Sequence, residues 1–426
     1  MPPERQLGLG SALALVVASM IGSGVFTTSG FMLSDLHTPG RVLAVWLGGG
    51  ALAMLGALCY GALAQRFPES GGEYLFLART LHPAAGYLAG WVSLLVGFSA
   101  PLAAVALAFG EYTKPWLTCS TPQLTGSCLL AGFAALHALH IRRGAWVQNV
   151  AVAVKVLLIV ILLGWAGPRL RLAPAPPAEP APLMNFALCL VWVSFSYSGW
   201  NAAVYIASEV RSPARNLPLA MALGTGVVTL LYLALNAVFV FAAPVEQLAG
   251  KLEIGRTAAL AIGGKSLADF VTGLIALALA TSLSSMVMAG PRVYARMADD
   301  GCLPRWFCFP AHGPPRHSIL LQTLLALGMM WTATFQSLLT YIGFSLGLCT
   351  AASVAGLVRL RRKEGSRLRV PGWPVVPVVF VAGVLAACGL TIARKPAESA
   401  VGLGTLVLGW LAWHFLHGKH RPSGVC

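Results

Sequence analysis

The sequence predicts an all-α polytopic membrane protein of about twelve transmembrane helices, ten of them in a five-plus-five inverted-repeat core and two more at the C-terminus. Three observations carry that expectation. The chain is 57% hydrophobic and only 10% charged, with a mean hydropathy of +0.75, whereas a soluble domain needs about 25% charged residues to cover its surface. Apolar runs of the ~20 residues that cross a bilayer recur from end to end. Two Gly-interrupted apolar segments, one at Gly22–Gly24 and one around Gly199, lie five spans apart, at the first helix of each half. Broken helices in corresponding positions of two halves mark a binding site formed between inverted repeats.

The spans run over about 7–33, 41–64, 83–110, 124–141, 148–167, 184–207, 217–242, 266–290, 317–334, 338–358, 373–392 and 397–416. Segment 1–168 forms the first repeat (spans one to five). "MPPERQ" runs straight into about 27 mostly apolar residues, too long for a signal-peptide core, so this is the first span. Residues 169–183, "RLRLAPAPPAEPAPL", form an external Pro/Ala-rich linker, where proline removes donors and blocks the helical turn. Segment 184–358 is the second repeat, 359–372 a basic cytoplasmic loop, and 373–426 spans eleven and twelve with a short tail. An even span number puts both termini on one side. Of the 29 Lys and Arg, nineteen fall in the loops on that side and nine in the others, with Lys155 left inside span five. The positive-inside rule then places both termini in the cytoplasm of a multi-pass plasma (inner) membrane protein.

Composition also excludes. A net charge of +15 suggests nucleic acid, but the basic residues are spread among short loops, without the basic, aromatic-lined groove of single-strand binding. The bilayer, not nucleic acid, is the expected partner. The basic run "RLRRKEGSRLR" (359–369) reads either as a site for anionic lipid or as an ordinary cytoplasmic loop. Cys59, Cys189, Cys349 and Cys388 lie in apolar runs as small packing residues. Cys302 and Cys308 lack zinc spacing. No metal and no cofactor is expected. A membrane-embedded enzyme needs a buried nucleophile–base pair or metal cluster, but the nine histidines lie mostly at loops and ends. A channel needs a repeated pore segment or charge ring, which is absent. Gly8, Gly48, Gly49, Gly50, Gly86 and Gly90 read as helix-packing glycines.

The stretches that carry chemistry are "ASMIGSGVF" (18–26) and "FSYSGWNAA" (195–203). Each glycine costs about 1 kcal/mol of helical propensity relative to alanine. An unwound stretch in a bilayer leaves backbone groups unpaired, each costing several kcal/mol unless it lines a cavity or meets a ligand. A broken helix offers free donors at one end and free acceptors at the other, which suit a carboxylate and an ammonium. The competing reading is close helix packing through small residues.

"MIGSGVF" resembles the first-helix signature of the amino acid–polyamine–organocation superfamily, and "FSYSGWNAAVYIASEVRSPARNLP" (195–218) resembles the sixth helix of its L-type amino acid transporter light chains and their bacterial relatives. "RFPESGGEYLFLARTLHPAAGYLAGW" (66–91) and "PRVYARMADDGCLP" (291–304) resemble the family's loops around helices three and eight. The resemblance implies that the substrate carboxylate meets backbone donors at Ile21, Gly22, Ser23 and Gly24. It implies that the ammonium meets carbonyls at Ser19, Met20, Phe195 and Ser198. Phe195 would be an aromatic gate, and Gly199, Trp200 and Asn201 would border the side-chain pocket.

Lys155 reads from the residues alone either as a snorkelling cation or as a functional one. The resemblance places it in the position of a sodium ion in sodium-coupled relatives, touching the first break and hydroxyls drawn from Ser282, Ser284 and Ser285. Glu69, Glu73, Glu209, Arg211 and Arg215 form either a cytoplasmic gate of ion pairs or solvated caps. Cys119 falls where light chains carry a cysteine bonded to a glycoprotein heavy chain, whereas the short N-terminus resembles bacterial relatives that act alone. No Asp or Glu falls in the interior of a span, those such as Glu111, Glu209 and Asp269 lying at edges, so a cationic substrate lacks a buried counter-charge. The expectation is a sodium-independent, alternating-access secondary transporter of neutral L-amino acids, an exchanger or exporter and not an enzyme. The alternatives are a proton-coupled amino acid or amine uptake permease and a non-transporting sensor of the same fold.

Overall fold

The computed structural model describes residues 7–139, 144–169, 182–299, 301, 303–308 and 314–417. Most of the external linker expected at 169–183 and the C-terminal tail beyond 417 lie outside the described residues. Sixteen α-helices follow in order: α1 (Leu9–Met20), α2 (Gly24–Leu36), α3 (Pro39–Arg66), α4 (Gly72–Thr80), α5 (Pro83–Val92), α6 (Ala100–Thr113), α7 (Pro122–Leu139), α8 (Gly144–Ala166), α9 (Leu183–Ser196), α10 (Pro213–Val240), α11 (Val245–Leu248), α12 (Ile254–Asp299), α13 (Arg316–Thr332), α14 (Phe335–Glu364), α15 (Val375–Arg394) and α16 (Pro396–His417). A π-helical turn, Ser93–Ser99, joins α5 to α6, and a 3-10 segment, Ala202–Glu209, follows α9. Among the described residues there is no strand; an isolated bridge between Leu7 and Val210 ties the chain's start to the end of the 3-10 segment.

Among the described residues, six continuous helical stretches are long and apolar enough to cross a bilayer: Pro39–Arg66, Pro83–Thr113, Pro213–Val240, Ile254–Asp299, Phe335–Glu364 and Val375–Arg394. The pair α1 and α2, bent by 42° at its break, makes a seventh span. The protein is thus an all-helical, multi-pass membrane protein. Its helices are apolar on most faces, because lipid and neighbouring helices are both apolar surroundings.

Two edges differ from the sequence reading. The basic run at 359–369 begins as helix, since α14 continues to Glu364. Arg361, Arg362 and Lys363 complement the helix dipole in its last turn, and Glu364 pairs with Arg66 at 3.0 Å. Span eight extends past 290 to Asp299, and Gly263 and Gly264 (φ +69°) break α12 near its N-terminal end.

Glycines let the helices around α3 approach. A Cβ at Gly56 would stand 2.9 Å from Trp200 Cζ2, and one at Gly61 would stand 2.9 Å from Pro218 Cβ. Gly49, Gly50, Gly86 and Gly90 are similarly crowded, as a packing role requires. Gly8 and Gly48 are not: no neighbour comes nearer than 4.0 Å, so close packing does not account for them. On its other side, α4 is fixed to the α14 scaffold. Arg359 Nη1 donates to Leu81 O (3.2 Å), and Gly356 of α14 accommodates Thr80.

Candidate functional site: two facing helix breaks

The first break is three residues long. α1 ends at Met20, Ile21 leaves helical geometry (φ −72°, ψ 83°), and α2 starts at Gly24. Side chains from three other helices take up carbonyls around it. Lys155 of α8, only 1% exposed, donates from Nζ to Ile21 O at 2.6 Å. Tyr232 of α10 donates its hydroxyl to Met20 O, and Tyr112 of α6 to Phe26 O at 2.5 Å. The donors are provided for differently. Three N–H groups here bond within the break: Ile21 N donates to Val17 O (3.1 Å), Gly22 N to Met20 O (2.7 Å) and Phe26 N to Ser23 O (3.0 Å), so two of the four donors expected for a carboxylate are engaged. Beside them Ser23 Oγ is buried, 1% exposed, with no hydrogen-bond partner. That leaves the Ser23 and Gly24 N–H groups and the Ser23 hydroxyl at the positive end of a helix dipole.

The second break is closed by its own backbone. Tyr197 N donates to Val193 O, Ser198 N to Phe195 O and Ala202 N to Gly199 O, each at 2.9 Å. Gly199 turns the chain with φ +101°, a left-handed conformation that glycine adopts without strain. The chain then continues as the 3-10 segment.

The two breaks lie against each other. A Cβ at Gly24 would stand 2.7 Å from Ser196 Cα, and one at Gly199 would stand 2.7 Å from Ser19 O. Tyr232 Oη spans the junction, 3.1 Å from Ser196 O while also reaching Met20 O. Beyond the turn, the buried Trp200 packs edge-on against Tyr60 at 4.7 Å between ring centroids. Asn201 Nδ2 donates to Glu73 Oε1 at 2.8 Å.

The structure brings Ser19 to Gly24 and Phe195 to Asn201 to one place. Of the carbonyls expected for an ammonium, Met20 O and Phe195 O already accept bonds from within the protein. The serines expected beside Lys155 are engaged differently. Ser284 Oγ pairs with His137 Nε2 at 2.9 Å, Ser285 Oγ donates to Thr281 O at 3.0 Å, and Ser282 is buried in the same helix.

The gate residues divide into two groups. Glu69 meets Arg79 at 3.6 Å, both exposed, while the exposed Glu209, Arg211 and Arg215 flank the bridge to Leu7. Glu73 instead is buried and accepts from Tyr60 Oη (3.0 Å) and Asn201 Nδ2 on one oxygen and from Tyr205 Oη (2.8 Å) on the other. Burial pushes its carboxyl above the ordinary carboxylate value, opposed by the hydrogen bonds from Tyr205, Tyr60 and Asn201. The sequence reading did not single out the tyrosines at 60, 112, 205 and 232. Their signal is a hydroxyl in an apolar run, which must find a partner when buried.

A family model described as "Amino acid permease" matches residues 7–412. The chain belongs to the amino acid permease family. It is 28% identical to the human b(0,+)-type amino acid transporter 1 over 440 residues, covering 98% of this chain and 89% of that one. It is 27% identical to the human large neutral amino acids transporter small subunit 2 over 453 residues, covering 99% and 82%. The b(0,+)-type transporter of the rat is similarly 27% identical over 98% and 89%. As a permease, the protein belongs with transporters and not with enzymes. Among the described residues no group of three or more His, Cys, Asp or Glu is arranged to hold a metal ion.

Proposed function

We propose that this permease is a sodium-independent secondary transporter of neutral L-amino acids that works by alternating access, as an exchanger or exporter. One observation carries the reading: the donor-rich start of α2, with its buried and unpartnered Ser23 hydroxyl, abuts the second break at Ser196. A carboxylate fits the N–H groups of Ser23 and Gly24 together with that hydroxyl, and those of Ile21 and Gly22 join it on leaving Val17 O and Met20 O. An ammonium fits the carbonyl side formed by Ser19, Met20, Phe195 and Ser198. Phe195, Gly199, Trp200 and Asn201 bound the space for the side chain. The Glu73 carboxyl, reached through Asn201, has both oxygens occupied by three donors and leaves none directed at a cationic substrate. Relatives named for b(0,+)-type and large neutral amino acid transport agree with an amino acid as cargo.

Lys155 supports sodium independence. A buried ammonium on Ile21 O ties the first break to α8 with a fixed positive charge, the service a bound sodium ion would otherwise provide. The reading also takes the chain as twelve spans in two inverted repeats of five plus two, with both termini cytoplasmic. Cys119 is an exposed free thiol in the turn before α7, where a disulfide to a heavy chain would form. We take the chain to act alone, and a higher band on a non-reducing gel of native membranes would overturn that.

Uptake of a mixed panel of labelled amino acids into proteoliposomes, preloaded or empty and without sodium, tests the function. Uptake only into preloaded vesicles establishes exchange and names the substrates. Uptake into empty vesicles driven by a pH gradient replaces exchange with proton coupling. No uptake of any amino acid in either turns the assignment to a sensor or to another organic substrate.

A further inference from the structure

Residues 70–73 hold the cytoplasmic half of helix six through three kinds of contact. Ser70 Oγ and Ser208 Oγ are 2.6 Å apart, and Ser208 N donates to Ser70 Oγ at 3.1 Å. Gly72 lies under the Tyr205 ring, where a Cβ would stand 2.8 Å from Cζ. Glu73 receives Asn201, Tyr205 and, from α3, Tyr60. The backbone makes this approach possible: Gly71 (φ +156°) and Gly72 (φ +56°) turn the chain so that the first turn of α4 points its carboxyl inward. Because α4 is itself fixed to α14, the clasp joins the 3-10 segment of helix six to the scaffold.

We propose that Glu73 is a positioning residue for transport: it clamps the cytoplasmic half of helix six to the scaffold, holds the Asn201 amide by its nitrogen, and must release both whenever the site opens to the cytoplasm. The inference rests on the transport reading. Two further observations support it. Neutral donors alone surround the carboxyl in the contacts that hold it, so no fixed ion pair opposes release. Tyr205 is 40% exposed and anchored by its hydroxyl tip, so the ring can leave without opening a hole in the core. A bridge of hydrogen bonds between rigid bodies that must part is a two-state element, and its strength sets the population of the open form. Glu73 therefore governs turnover more than external affinity.

Cys349 of α14, buried at 8% and neighbouring Glu73, reports on the opening. The test uses the full-length permease in proteoliposomes and compares wild type, Glu73→Ala and Glu73→Gln. Maleimide applied from the cytoplasmic side is mapped to Cys349 by mass spectrometry, alongside uptake Vmax and external KM. In Glu73→Ala, Cys349 labelling is expected to rise at least about tenfold, the shift that losing a hydrogen bond to a carboxyl produces in a two-state equilibrium. Its Vmax should change while external KM stays within about twofold. Glu73→Gln, which keeps the shape and an acceptor oxygen, should not raise the labelling above wild type. Unchanged labelling in Glu73→Ala, or equal effects of Ala and Gln, overturns the proposal. If Glu73→Ala does not fold, Tyr205→Phe removes one bond and should give an intermediate rise; no rise there overturns it equally. Absence of amino acid uptake in wild type defeats the transport reading instead, and the labelling still decides the clasp.

Discussion

The two helix breaks face each other but lean on other helices to different degrees. The first closes part of its backbone through Ile21, Gly22 and Phe26 N, and Lys155, Tyr232 and Tyr112 also reach in from α8, α10 and α6 to its carbonyls, while the Ser23 hydroxyl is left unmatched. The second is closed mainly from within, by three backbone hydrogen bonds around Gly199, with Tyr232 also donating to Ser196 O. A break that satisfies itself is a hinge. A break that depends on side chains from other helices is a site whose state those helices can read, because breaking one bond leaves an orphaned polar group in an apolar surround. The comparison predicts that the first break is sensitive to distant side chains, whereas the second is sensitive to its own glycine.

The largest effects should come where the breaks touch. Gly24→Val places carbon against Ser196 Cα, a 2.7 Å approach that a flexible side chain cannot relieve. We expect no measurable amino acid binding by scintillation proximity, with a normal gel-filtration profile. Gly199→Val adds a strained φ to the clash with Ser19 O, so it should lower the thermal midpoint as well. Retained affinity in Gly24→Val would separate the breaks from the binding site.

Next come the distant supports. Lys155→Met removes the donor to Ile21 O and leaves that carbonyl buried, a loss of about 1–3 kcal/mol, or about five- to 160-fold in uptake. Tyr232→Phe removes one hydroxyl at about 1 kcal/mol, or about fivefold. Apart from Tyr232, which also donates to Ser196 O, and Glu73, which holds Asn201, no residue outside the second break should loosen that break comparably when replaced. If Lys155→Met left rate and affinity unchanged, the first break would be self-supporting too and the contrast would fail.

A smaller effect, in pH, sharpens the contrast at the 3-10 segment Ala202–Glu209. Burial raises the Glu73 carboxyl above 4.5 when the clasp is shut, while the residues facing it from α3, helix six and α14 (Tyr60, Tyr205 and Cys349) stay neutral below its range of titration. The sign follows from linkage. A carboxyl whose pKa is higher in the shut form binds its proton more tightly there, so protonation favours the shut form. That stabilisation is lost as pH rises through the raised value. Cytoplasmic acidification from neutral pH towards 4.5 should therefore slow turnover, and Glu73→Gln should flatten the profile. A profile unchanged by Glu73→Gln assigns the titration elsewhere.

The breaks were legible in the sequence because glycine in an apolar run contradicts the helix around it, and because two such runs occupy corresponding places. Lys155 was legible because a cation in a span is costly. The supports were not. Tyr232 lies 212 residues from the carbonyl it serves, and nothing in "LLYLALNAVF" distinguishes a hydroxyl with a distant partner from a packing ring. Glu73 read as either one member of a gate of ion pairs or a solvated cap, because 66–82 read as loop. Only the positive φ of Gly71 and Gly72, invisible in composition, turns it inward. Gly8 and Gly48 erred the other way, since counting glycines on a helix does not say which face meets a neighbour.

The smallest expected effect is also the most discriminating for the first break. Gly22 lies one residue from Ser23, yet a Cβ there would meet nothing nearer than Met20 O at 3.8 Å, and its φ is not left-handed. If the first break serves through backbone donors, Gly22→Ala keeps the N–H and adds a methyl group into free space. Uptake KM should change less than about twofold, and stability should hold or rise by about 0.4–1 kcal/mol through a less flexible unfolded chain. A loss as deep as that of Gly24→Val would mean that the break works by glycine's freedom to move and not by the room at its contact with Ser196. Transport would then depend on flexing Gly22 itself, and the side chains at Ile21 and Met20 would be holding a hinge.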